Sequence, residues 1–196
     1  KTINRTADGS QYDVGRSLRL LNVDKIDLYQ VDDVLPKDWA EVMREGGALE
    51  GLKVAKLRGL IDHIGISSHS LEVVEKAITC GEFETVMLEY SAFYRDTVEL
   101  IKLAKEKEVG VIVMRPLGGS GRMSSLRTRM EDPAYRVKLS PAILLEYTLS
   151  NVDISVAIAG VRYPSRIREN VEIASGYEPL GESKKKDIER EAKELF

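Results

Sequence analysis

The sequence predicts a parallel α/β protein, and three observations predict it. Short runs rich in β-branched residues recur along the chain. Each run is nearly continuous in apolar residues rather than alternating, the pattern of strands covered on both faces. Amphipathic helical patterns lie between them, which calls for right-handed βαβ units. The segments that follow the runs, "DDVLP", "SSHS", "SAFYR", "RPLGGSGR" and "GVRYPSRIREN", gather acids, hydroxyls, glycines and arginines. In parallel α/β architectures those carboxyl ends of strands carry the site. A doubly wound sheet and a (β/α)8 barrel both satisfy the pattern. No GxGxxG follows the first run, so the usual dinucleotide-binding sheet lacks its main signature.

Taken in order, a first helix over about 11–21 is marked by Val14, Leu18 and Leu21, at i, i+4 and i+7. "IDLYQV" (26–31) is the first strand and "HIGIS" (63–67) the second. Ser70 is placed to cap a helix carrying Val74, Ala77 and Ile78 on one face. "TVMLEY" (85–90) is the third strand, followed by a helix over 95–108 whose Lys102 and Glu106 mark a wet face. "GVIVM" (110–114) is the fourth strand, and Ser140-Pro141 opens the next helix with a cap and a first-turn proline. "ISVAIAG" (154–160) is the fifth strand. Ser165 is expected to cap a helix with Ile167, Val171 and Ala174 on one side. A charged tail helix (182–196) offers Ile188, Ala192 and Leu195 as a docking stripe. The whole of 1–196 is read as one domain.

Composition narrows the function. The net charge of −3 gives no general reason to expect nucleic-acid binding. No apolar run is long enough to span a membrane, and the start "KTINRTADGS" lacks a signal peptide's apolar core. The single Cys80 forms no intrachain disulfide and reads as a small core residue, which makes a reducing cytoplasm the simplest home. Two histidines and one cysteine argue against a metal site.

The last of the strand-end segments is the most specific. In "IAGVRYPSRIREN" a strand ends in Gly160, a loop offers Arg162, and a helix begins with Arg166 in its first turn. Helix-start amides, the positive end of the dipole and a guanidinium together suit a phosphate. Glu169 and Asn170, one turn on, suit a purine; the competing reading is an arginine-rich surface loop. "RPLGGSG" (115–121) would let backbone approach a pyrophosphate, or is a flexible loop.

Together, "RSLRLLNVDKIDLYQVDD", "HIGISSHS", "VMRPLGGSGR" and "GVRYPSRIREN" resemble the aldo-keto reductases in order and spacing, from Lys1 to about Ala174. The resemblance implies a (β/α)8 barrel that binds NADP(H) without a Rossmann domain and moves a hydride to a carbonyl. The five strands would be the fourth to eighth of that barrel, followed by a C-terminal helix, with the first three βα units outside this sequence. By resemblance, Ser67 and Ser68 stand where a Ser-Asn pair holds the nicotinamide carboxamide, and Met87 where a glutamine helps. Met114 stands where an aromatic ring often stacks on the nicotinamide, and a thioether packs there more softly. Arg115, Leu117 and Gly119 would border the pyrophosphate. Gly160 and Arg162 would belong to the cofactor-binding set, Arg162 adding charge near Arg166, which would favour the 2′-phosphate, and Glu169 with Asn170 would meet the adenine.

The family's catalytic tetrad is Asp, Tyr, Lys and His. Its histidine normally ends the "IDLYQV" strand, so Asp32 takes that place and Asp33 is a loop acid. A neutral histidine donates a hydrogen bond to a carbonyl, whereas an ionised aspartate cannot; burial that raised its pKa would restore a donor. Lys1 fits the tetrad lysine. The tyrosine and its partner aspartate belong to the first two βα units; Tyr29, Tyr90 and Tyr163 lack the right context. A longer parent protein is expected, the alternative being a short protein whose open sheet edges need a partner. The expected activity is NADP(H)-dependent reduction of small aldehydes and ketones. The rivals are a nucleotide-binding subunit or sensor without turnover and an unrelated barrel that uses the phosphate site for another substrate. Oligomeric state and substrate identity are not legible, and the 118–140 loop is either a lid or a connector.

Overall fold

The computed structural model describes residues 1–119 and 139–195, so most of the 118–140 loop lies outside the described residues. By their contacts the residues form two compact units, Lys1–Leu88 with Lys102–Val111, and Glu89–Ile101 with Ile112–Phe196. Five strands and the helices between them make the α/β fold that the sequence predicts.

The first unit opens with α1 (Ala7–Leu21), which begins ahead of the expected residue 11 because Thr6 caps it, Oγ1 accepting from Gly9 N at 3.2 Å. Of its predicted stripe Val14 is fully buried, Leu18 is half-buried and Leu21 is exposed. Asn22 ends the helix in the left-handed conformation. β1 (Ile26–Val31) follows, then a short α2 (Trp39–Met43) and α3 (Ala48–Leu57). The sequence pattern did not mark α3, since Gly51 interrupts its apolar face. That glycine lets α1 and α3 touch. A Cβ on Gly51 would lie 2.1 Å from Ser10 Oγ and 2.3 Å from Ala7 O. Ser10 Oγ also reaches Ala48 O at 3.1 Å, tying the two helices together.

β2 (Ile61–Ser67), α4 (Leu71–Thr79) and β3 (Thr85–Glu89) come next, then α5 (Val98–Glu106) and the start of β4 (Gly110–Met114). Ser70 caps α4 as predicted, and Val74, Ala77 and Ile78 are buried. β1 pairs parallel with β2 and β2 with β3, which aligns Gln30, Gly65 and Thr85 in one row. Gly65 is required there, because a Cβ would sit 2.2 Å from Thr85 Oγ1. Gln30 Nε2 and Thr85 Oγ1 are buried without hydrogen-bond partners. Cys80 is not the core residue expected from the sequence. It ends α4 in an exposed position, where the helix has run out of packed face. Partial burial of its thiol still raises the pKa, away from a nucleophilic thiolate.

In the second unit Ile112, Val113 and Met114 of β4 pair parallel with β5 (Val156–Ile158). α6 (Pro141–Leu149) carries the predicted cap and proline, Ser140 Oγ accepting from Ile143 N at 3.2 Å. α7 (Pro164–Gly176) and α8 (Glu182–Leu195) complete the chain. Tyr147 OH donates to Glu189 Oε1 at 2.7 Å while Arg95 pairs with the other oxygen, fixing α8. Ile188 and Ala192 are buried and Leu195 is half-buried, as the stripe predicts.

Three expectations fail in this unit. β5 is shorter than 154–160, and Val156 and Ile158 each stay 49% exposed rather than covered on both sides. Ile167 and Val171 of α7 are exposed too, because no residue of that helix is buried. Ser165 does not cap α7. Pro164, whose fixed φ suits the first helical position, starts the helix one residue earlier, and Tyr163 becomes the cap without a side-chain bond. No helix among the described residues is long and apolar enough to cross a membrane.

The α1–α3 contact yields a test. Gly51→Ala should lower stability by about 1–3 kcal/mol, as overpacking against backbone does. Gly176→Ala, with open space at its Cβ, should change it by less than about 0.5 kcal/mol. Urea unfolding of both variants measures the difference.

Candidate functional site

In the first unit the site is built where β1 and β2 end. Thr2 forms a short parallel bridge with Val31: Thr2 N donates to Gln30 O at 2.9 Å, and Asp32 N donates to Thr2 O at 2.7 Å. This pairing sets Lys1 beside Asp32. Lys1 Nζ lies 2.9 Å from Asp32 Oδ1 and 3.1 Å from Met87 Sδ. The last residue of β2, Ser67, aligns with Met87 of β3. Ser67 Oγ donates to Asp32 Oδ1 at 2.6 Å and accepts from Asp33 N at 3.0 Å. One carboxylate oxygen thus receives both an ammonium and a hydroxyl.

The turn after β1 is held from behind. Arg5 donates through Nη1 to Asp32 O (2.9 Å) and through Nη2 to Asp33 O (3.0 Å) and Asp38 Oδ2 (3.2 Å). Asp33 sits at φ 47°, a left-handed conformation that a non-glycine keeps only when its neighbours impose it. Asp33 is a loop acid as expected, and its role is in the backbone. Tyr29 OH donates to Lys1 O at 3.1 Å and shares a 2.8 Å bond with Ser17 Oγ, so it supports the scaffold.

These contacts decide the charge of Asp32. Partial burial alone would raise its pKa, but the bonds from Ser67 and Lys1 and the lysine's charge prevail and hold the carboxyl below its ordinary range. Asp32 is therefore a carboxylate near neutral pH and an acceptor only. Ser68 stands apart from this cluster. Its Oγ donates to Val34 O (2.6 Å) and accepts from Ser70 N (3.0 Å), and the residue is buried. Both serine hydroxyls have spent their protons inside the protein, and each can only accept from a further group.

A concavity in this unit opens elsewhere, at the amino ends of β2 and β3, lined by His63, Phe83, Glu84 and Lys107 among others. There Glu84 faces His63 Nδ1 (2.6 Å) and accepts from Lys56 Nζ (2.7 Å) and Ile64 N (3.0 Å). Burial opposes ionisation, yet these bonds lower its pKa to about 2. Groups at the amino ends of parallel strands serve stability rather than chemistry.

In the second unit two clusters form. Met114 ends β4 half-buried, and Arg115 follows at φ 54°. Gly118 N donates to Arg115 O at 2.8 Å, and Thr148 Oγ1 to Pro116 O at 3.0 Å. Leu117 and Gly119 lie in the same turn, and the Arg115 side chain passes 3.5 Å from a Cβ built on Gly119. Its guanidinium meets Glu89 Oε2 at 3.0 Å, a partner the sequence reading missed. The only sequence signal was an acid near the end of an otherwise apolar strand.

The second cluster lies at the start of α7. Gly160 has open space around it, Arg162 is exposed, and Arg166 N donates to Tyr163 O at 3.0 Å. Arg166 Nη1 meets Glu169 Oε2 at 2.5 Å, both side chains about half exposed, with Asn170 half-buried beside them. An exposed helix start with two arginines and no side-chain cap is chemically fit for a phosphate. The ion pair with Glu169 holds Arg166 over that first turn.

Three comparisons bear on this geometry. The model of the Aldo/keto reductase family matches residues 6–190. The uncharacterized oxidoreductase YqkF of Bacillus subtilis (strain 168) is 23% identical over 186 residues, covering 83% of this chain and 59% of that protein. The chain thus spans less than two thirds of that relative. Among solved structures, the holo form of aldo-keto reductase AKR11C1 from Bacillus halodurans matches with a TM-score of 0.74 at 22% identity, covering 95% of this chain and 67% of that one. The thermostable aldo-keto reductase Tm1743, in complex with the inhibitor epalrestat, gives a TM-score of 0.71 at 20% identity, over 97% of this chain and 68% of that one. At such identities these structures show a shared fold.

The Asp32 cluster predicts an acid-side loss of stability. A carboxyl whose pKa is depressed by folding stabilises above its ordinary range, and the contribution is lost as pH falls through the folded value. Asp32→Asn should cost about 1 kcal/mol at pH 7, a charged hydrogen bond discounted for a side chain 34% exposed. The gap between wild type and variant should narrow as pH falls below the ordinary aspartate range. Urea midpoints at pH 7, 5 and 3 measure it.

Proposed function

The chain belongs to the aldo/keto reductase family, and from that premise we propose an NADP(H)-dependent oxidoreductase that reduces small aldehydes and ketones. Its five strands correspond, in this reading, to the fourth to eighth of a (β/α)8 barrel. The observation that carries the proposal is the Lys1 ammonium held between Asp32 and Met87 where parallel strands end. A fixed cation suits a carbonyl oxygen that gains negative charge. The single cysteine accords with a reducing cytoplasm.

The residues present fit NADP(H) unevenly. At the adenosine end Arg162 and Arg166 would take the 2′-phosphate, with Gly160 leaving room for it and Glu169 and Asn170 meeting the adenine. Arg115, Leu117 and Gly119 would border the diphosphate. Met114 would lie against the nicotinamide. Ser67 and Ser68 would hold the carboxamide only by accepting from its amide, since both hydroxyl protons are committed. When bound, the reduced nicotinamide supplies a hydride for the carbonyl carbon. Asp32 holds Lys1 rather than donating to substrate, and Lys1 stabilises charge at the substrate oxygen. The proton for that oxygen is assigned to the tyrosine of the family's tetrad.

A second reading is a nucleotide-binding subunit without turnover. The ionised Asp32 and the committed serine hydroxyls favour it, because both remove donors from the reacting end.

Two measurements separate the readings. NADPH at about 100 times its dissociation constant should stabilise the chain by ~2.7 kcal/mol, a rise of several degrees in Tm, well above that with NADH. Arg166→Ala should weaken NADPH by roughly 10- to 100-fold, the loss of a charged hydrogen bond to phosphate, and leave NADH nearly unchanged. No shift with either cofactor contradicts both readings. Carbonyl turnover by the intact protein, raised by Asp32→His, supports the reductase. Binding without turnover in both forms supports the subunit.

A further inference from the structure

We propose that Glu89 is a positioning residue that presents Arg115 to the diphosphate of the dinucleotide. The inference rests on the dinucleotide reading above and assigns a role to an acid that reading does not use. Glu89 is the last residue of β3, its side chain only 10% exposed, and its Oε2 accepts from Arg115 Nη1 at 3.0 Å. Arg115 itself is 53% exposed, so the pair joins an anchored carboxylate to a guanidinium open to solvent.

Both ends of the arginine are fixed. Its backbone holds φ 54°, a conformation that costs energy for a residue with a Cβ and persists where the surroundings impose it. Those surroundings are specific. Gly118 N closes the turn onto Arg115 O, Thr148 Oγ1 holds Pro116 O, and Thr97 Oγ1 donates to Glu89 O at 2.7 Å. Gly118 is pressed against Phe93, whose Cδ2 would stand 2.4 Å from an added Cβ. A free arginine would lose rotamer freedom on meeting an anion. Here the glutamate and the turn have already restricted that freedom. A guanidinium has five N–H donors in a rigid fork, so one edge can meet Glu89 while another meets phosphate oxygen. The chemistry recognised is a dianionic diphosphate whose oxygens accept from the guanidinium N–H groups that Glu89 leaves available.

The test is a double-mutant cycle on the full chain, read as the dissociation constant of NADPH by nicotinamide fluorescence. Arg115→Ala should weaken NADPH by at least tenfold, and Glu89→Ala should do nearly the same. The double variant should be no worse than Arg115→Ala alone. Glu89→Gln keeps the acceptor and should retain most of the affinity. Glu89→Met fills the same space without an acceptor and serves if the alanine variant does not fold. Losses from Glu89 and Arg115 that simply multiply, or full affinity in both Glu89→Ala and Glu89→Met, overturn the positioning role. A wild-type chain that binds neither NADPH nor NADH overturns the dinucleotide reading and this role with it.

Discussion

The strand-end cluster depends on one carboxylate oxygen. Asp32 Oδ1 receives the Lys1 ammonium from one side and the Ser67 hydroxyl from the other. It thereby links the terminal segment, the turn after β1 and the end of β2. Arg5 pins the same turn through its carbonyls, and Thr2 pairs with β1 from the flank. Removing the carboxylate would leave an ammonium facing a thioether and a hydroxyl without its acceptor. Two of the lysine's three protons are engaged, and the side chain remains partly exposed. The geometry thus spends an acid to hold a base, the reverse of what a histidine would do in its place.

That exchange has a chemical consequence. A hydrogen-bond donor at the end of β1 would polarise a carbonyl directly, whereas an ionised acid repels developing negative charge. With Lys1 beside it the local charge is balanced. At the start of α7 the balance has the same form. Arg166 is paired with Glu169, and Arg115 with Glu89 in the turn after β4. In each cluster an acid supports a cation, so orientation is set in advance at the cost of net charge.

Much of this was legible in the sequence. The apolar runs at 26–31 and 110–114 are the observed β1 and β4, because buried parallel strands leave a continuous hydrophobic record. Ser70 and Ser140 cap where expected, since capping is a local bond between residues three apart. Asp32 and Lys1 were each singled out from the sequence, and their side chains lie 2.9 Å apart. What failed was what depends on distant partners. α3 was hidden because Gly51 looks like a helix breaker until α1 is seen against it. The apolar faces of β5 and α7 read as buried, but burial belongs to what covers a face, not to the face itself. Glu89 and Arg5 escaped notice because nothing in their neighbouring residues announces the arginine or the carbonyls they hold.

The ionisation of Asp32 is the claim on which the site's chemistry turns. It is best measured by following the side-chain carboxyl 13C shift of Asp32 through a pH titration of the folded chain. Titration below the ordinary aspartate range would establish a carboxylate that positions Lys1 and donates nothing. A carboxyl that keeps its proton toward neutral pH would contradict this account and make Asp32 itself a hydrogen-bond donor.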